Sequence, residues 1–64
     1  MNINEEILIV LLVKEPPIGT WCFGMEGSCF KVVDRGEWYL LASDVDKPSE
    51  KKRCLVKSFV SIIK

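Results

Sequence analysis

Cys29-Phe30-Lys31-Val32-Val33-Asp34-Arg35-Gly36-Glu37-Trp38-Tyr39-Leu40-Leu41-Ala42 is the stretch on which the fold turns. Two runs rich in β-branched and aromatic residues flank four polar residues that include a glycine. The runs read as strands over 29–33 and 38–42. Asp34-Arg35-Gly36-Glu37 reads as the hairpin turn between them, with Gly36 free to take a positive φ. Alternation along the second strand puts Tyr39 and Leu41 on one face and Trp38 with Leu40 on the other. If the first pair faces the core, Trp38 is at least partly exposed.

Further strands follow on either side of this hairpin. Upstream, Ile7-Leu8-Ile9-Val10-Leu11-Leu12-Val13 is apolar at every position. Such a run fits a strand buried on both sides or a buried helix with Asn4 as its N-cap. Its β-branched residues and the Pro16-Pro17 pair that soon follows favour the strand. Thr20-Trp21-Cys22-Phe23 reads as a short β segment in which Trp21 and Phe23 share a core-facing side. Gly24 to Ser28 reads as a turn. Downstream, residues 43–52 form a polar loop holding Pro48. Cys54-Leu55-Val56 and Val60-Ser61-Ile62-Ile63 read as strands, with a tight bend at Lys57-Ser58-Phe59. Five or six short strands at close spacing predict one small all-β barrel domain spanning residues 1–64.

The second half of the chain resembles the Src-homology-3 family. Gly36-Glu37-Trp38-Tyr39-Leu40-Leu41-Ala42-Ser43 is similar to that family's Gly-Asp-Trp-Trp-x-Ala-Arg stretch. Leu55-Val56-Lys57-Ser58-Phe59-Val60 is similar to its closing Ile-Pro-Ser-Asn-Tyr-Val signature. The resemblance covers roughly residues 29–63 and implies a five- to six-stranded Src-homology-3-like barrel. Carried over by position, Trp38 matches the first Trp of the ligand groove. Val56 stands for its Pro, Ser58 for its Asn and Phe59 for its Tyr. The Ala-Leu-Tyr-Asp-Tyr motif is absent, since Leu11-Leu12-Val13-Lys14 stands near its place. The resemblance therefore implies a partner-binding surface of Trp38, Val56, Lys57, Ser58 and Phe59, without the parallel rings that hold a polyproline helix.

Composition narrows the function classes. The chain has 64 residues, no histidine, and equal numbers of acidic and basic side chains. That length holds one domain and little room for a deep catalytic cleft. Without histidine it lacks the commonest general base and metal ligand. Cys22, Cys29 and Cys54 cannot all pair within one chain, and their spacing does not make a zinc set. They read as small apolar side chains kept reduced. A cysteine-dependent redox protein is the remote third reading. Asp44-x-Asp46 lacks the Gly and Glu that a calcium loop needs later on, because Ser49 and Leu55 stand there. Gly24-x-x-Gly27 lacks the lysine of a phosphate cradle. Neither a metal nor another cofactor is expected, and no catalysis.

The zero net charge hides a gradient. Residues 1–37 sum to −3 and residues 38–64 to +3. Lys51-Lys52-Arg53 is the densest basic cluster and a candidate contact for phosphate or an acidic partner. A nucleic-acid-binding barrel using the loop 47–57 is thus the second reading, although such domains usually show a basic excess. No apolar run approaches a membrane span, and the acidic start is unlike a signal peptide. The expectation is a cytoplasmic protein-binding module, inhibitor or accessory subunit, of the kind common among phage and mobile-element products. Its expected partner is a larger protein. A strand apolar on both faces needs cover on both, so a homodimer, or docking on a larger protein, through an edge carrying Ile7, Ile9 and Leu11 is a further expectation; a central strand curled across both sheets of one barrel fits the run equally well.

Overall fold

A computed structural model describes residues 6–64. Its elements in chain order are strands β1 (Leu8–Leu12), β2 (Cys29–Asp34) and β3 (Trp38–Leu41). Two 3₁₀ turns follow, Ala42–Asp44 and Ser49–Lys51. Then come β4 (Cys54–Val56), a third 3₁₀ turn (Lys57–Phe59) and β5 (Val60–Ile62). There is no α-helix among the described residues. The strands form one antiparallel sheet in the order β4-β3-β2-β1-β5. The sheet is open: β4 and β5 are its two edges and do not pair with each other, so the expected closed barrel is replaced by a five-stranded sheet.

The apolar run is a strand, not a helix. β1 pairs with β2 through Leu8↔Val32 and Val10↔Phe30, and with β5 through Val10↔Ile62 and Leu12↔Val60. Its backbone is thus occupied on both sides. Ile7, Ile9 and Leu11 do not lie on a sheet edge, as the dimer expectation required; that position falls to β5.

Alternation sorts the side chains. Val10, Leu12, Val32, Tyr39, Leu41, Leu55 and Cys22 form the main core, with Leu8, Trp21, Phe30, Phe59 and Val60 packed against it. Each fully buried Val or Leu contributes roughly 1.5–3 kcal/mol. Val33 and Leu40 face each other across β2 and β3 and are buried outside that cluster. Tyr39 and Leu41 point inward as the sequence predicts, and Trp38 stays half-exposed.

The hairpin turn is built as its residues dictate. Gly36 takes φ 94°, and its N–H donates to Asp34 Oδ1 at 2.8 Å. The Arg35 N–H donates to the Trp38 carbonyl at 3.0 Å. The turn holds position 36 at a positive φ, so any side chain there would be strained where glycine is not.

Residues 20–23 are not a strand. The Phe23 N–H donates to the Thr20 carbonyl at 3.0 Å and the Met25 N–H to that of Cys22 at 3.1 Å. The connection from β1 to β2 is thus a succession of turns. Successive turns break the two-residue alternation, so Trp21 packs inward while Phe23 is exposed.

Candidate functional site

Trp38 and Val56 are direct cross-strand partners on β3 and β4. Both are large, apolar and open to solvent, at 48% and 55% exposure. The hairpin fixes one and the short β4 strand the other, so the pair is a preformed apolar step. Val56 also lines a cleft of about 230 Å³, together with Leu55, Phe59, Pro16, Pro17 and Thr20. Cys22 and Cys54 complete its lining, and no charged side chain does. The structure therefore links Trp38 to Phe59 through Val56. Ser58 is exposed on the neighbouring 3₁₀ turn.

The walls of this cleft come from the β1–β2 connection. Pro16, Pro17 and Thr20 are contributed by a loop that sequence patterning assigns no role. The strand read at residues 20–23 divides this stretch into two short connections, so no sequence signal marks it; in the structure the irregular connection over residues 13–28 is longer than most in compact domains. Trp21 clamps that loop to β4: its Nε1 donates to the Cys54 carbonyl at 2.9 Å. Its ring meets Phe30 edge-on with centroids 5.5 Å apart. The Arg53 guanidinium lies over the Trp21 ring, 5.4 Å from its centroid.

The basic residues are mostly committed within the molecule. Asp44 is fully buried and gathers three of its neighbours. It accepts from Arg53 Nε at 2.8 Å and Nη2 at 3.1 Å, and from the Arg53 backbone N–H at 2.9 Å. Lys47 Nζ lies 2.9 Å away, and the Ser43 hydroxyl donates at 3.3 Å. Hydrogen bonds from Arg53, then Lys47, hold the Asp44 carboxyl far below the ordinary carboxylate range, against the opposing effect of desolvation. The same pairing raises the Arg53 pKa. Lys57 Nζ bonds Asp34 at 2.7 Å and sits 4.8 Å from the Tyr39 ring centroid. That lysine, and then the Gly36 N–H, lower the Asp34 pKa.

Of the proposed phosphate contacts, Arg53 is therefore spent on Asp44. Lys51 is exposed and Lys52 half-buried, and neither has an ion-pair partner among the described residues. Lys57 borders the apolar step but carries its charge to Asp34. Ile9 and Leu11 are half-buried on the sheet face opposite the main core.

All three cysteines are free. Cys22 is buried, and burial followed by the nearby Glu15 charge pushes its thiol pKa up, opposed by a backbone hydrogen bond. Cys29 is exposed and Cys54 half-buried. Among the described residues no three Cys, Asp or Glu side chains gather as metal ligands, and no helix is long and apolar enough to cross a membrane. No protein-family model, curated protein or solved structure matches this chain.

Proposed function

We propose that this protein is a non-catalytic docking module that binds a larger protein through Trp38, Val56 and Phe59. The observation that carries the reading is the exposed Trp38–Val56 pair standing beside an uncharged cleft. An aromatic anchor next to an apolar pocket is the usual composition of an interface hot spot. Rigid placement also lowers the ordering cost of binding. Phe59 supplies the cleft's aromatic surface, and Ser58 and Lys57 form a polar rim.

We read the architecture as an opened Src-homology-3-like barrel. Support comes from the strand order, from the long β1–β2 connection and from the 3₁₀ turn between the last two strands. The free thiols fit a reducing cytoplasm.

The test is capture of partners from the source cell by the wild-type chain, Trp38→Ala and Val56→Asp in parallel. A partner retained by wild type and lost by both variants supports the reading. A partner held equally by all three, with both variants folded, refutes this face. Binding that collapses with salt would instead favour the basic loop and nucleic acid.

A further inference from the structure

The hydrogen-bond pattern of β5 defines a second contact surface, independent of the Trp38 face. The Ile63 N–H donates to the Ile9 carbonyl at 2.9 Å, and the Val13 N–H to the Phe59 carbonyl at 2.9 Å. In an antiparallel ladder such residues alternate, so positions 59, 61 and 63 address β1 and positions 60 and 62 face away from it. The Val60 N–H is taken by the Lys57 carbonyl. That leaves the Val60 carbonyl and both backbone groups of Ile62 pointing outward. No described strand lies on that side. Ile62 and Ile63 are each 52% exposed.

We infer that β5 is the pairing edge of a homodimer, with β5 of a second copy adding antiparallel to it about a two-fold axis at Ile62. In that register the Ile62 N–H of each copy donates to the Ile62 carbonyl of the other. Ser61 then faces Ile63 of the second copy, and Val60 faces Lys64, whose N–H and carbonyl are both bonded to Ile9, so the two Ile62 hydrogen bonds are the backbone bonds of the seam. No like charges oppose one another, and Val60 to Ile63 carries no charge at all. The formal net charge of zero removes long-range repulsion between two copies. The edge is short, at three residues, but carries no proline or inward charge to deter pairing. The pairing is isologous, each β5 edge being taken up by the other, so addition through β5 stops at two copies; at the opposite edge Trp21 takes the Cys54 carbonyl.

The experiment measures mass by light scattering on the full chain across a concentration series, with residue-resolved amide exchange. Wild type shifts from monomer towards dimer as concentration rises, and the Ile62 amide slows about tenfold while the exposed Trp38 end does not change. Ile62→Pro removes only an outward donor, because the β1 ladder uses positions 61 and 63, and it leaves a folded monomer. Ile62→Lys sets two ammonium groups face to face and also gives a monomer, partly rescued by salt. Trp38→Ala still dimerises. A wild type that stays monomeric overturns the inference. So does a dimer whose Ile62 amide is unprotected, or one that survives both Ile62 variants.

Discussion

At β4 the outward Cys54 carbonyl receives the Trp21 indole, and Pro16, Pro17 and Thr20 stand alongside. At β5 the equivalent groups of Ile62 meet no described strand. Both edges are three residues long, so length does not separate them. The guard at β4 comes from 33 positions away in the chain. A carbonyl on a strand edge is therefore capped by a side chain delivered from a distant loop, and the same loop forms the wall of an uncharged cleft. The open edge lies where no comparable loop reaches.

Removing the guard should have the largest effect. Trp21→Ala deletes packing against the core, the Cys54 hydrogen bond and the Arg53 contact, and should cost about 3 kcal/mol in urea unfolding. It should also make the protein aggregate as concentration rises, since two edges would then be free.

Asp44→Asn comes next. The buried carboxylate ties Lys47 and Arg53 to the start of β4, and a neutral amide leaves these two half-exposed cations without their counter-charge. The melting temperature should fall by about 5–10 °C at neutral pH. The acid limb should change as well. Because the folded Asp44 carboxyl lies below its ordinary 3.8, the unfolded chain takes up the proton first as pH falls. The stabilisation is complete above that value and is lost progressively below it. The Asn variant should show a shallower loss of stability in that window, with Asp34 supplying part of what remains.

Trp21→Phe sharpens the comparison. It keeps a ring in place but loses the indole donor, so the cost should be about 1 kcal/mol. Calorimetry on the two Trp21 variants separates packing from edge capping. The smallest effect belongs to Trp38→Ser, whose side chain is half in water. Its unfolding free energy should stay within about 0.5 kcal/mol of wild type, while partner capture is lost.

Much of the sheet is legible from local pattern. β2, Gly36 and β3 follow from alternation flanking a glycine turn, and Tyr39 and Leu41 separate from Trp38 by the same rule. β4, the bend at Lys57–Phe59 and β5 follow from short apolar runs with one polar break. What escaped depends on contacts between distant residues. The Thr20–Phe23 segment has strand-like composition, yet hydrogen bonds three residues apart make it turn, and this decides which aromatic is buried. Asp44 reads as a loop acid beside Asp46; only the convergence of Lys47 and Arg53 makes its burial tolerable. The Asp44-x-x-Lys47 spacing is a faint local trace of that. The cleft was invisible because half of it comes from a loop and half from β4, with no shared motif. The Trp38–Val56 face was legible in residue choice, through the Src-homology-3 resemblance, but its junction with Pro16 and Pro17 was not.

The position of β1 in the sheet has a consequence during synthesis. Val10 has Phe30 on one side and Ile62 on the other. As the nascent chain leaves the ribosome, β1 emerges ahead of β2 and β3, and all three emerge ahead of β5. Its second flank stays bare until β5 has cleared the exit tunnel. Throughout that interval an uncharged run from Ile7 to Val13 is half-paired, the condition in which chains stick to one another. Lys14, Glu15 and the two prolines at its end serve as a brake on that reaction. The same four residues then turn the chain into the loop that closes the far edge of the sheet.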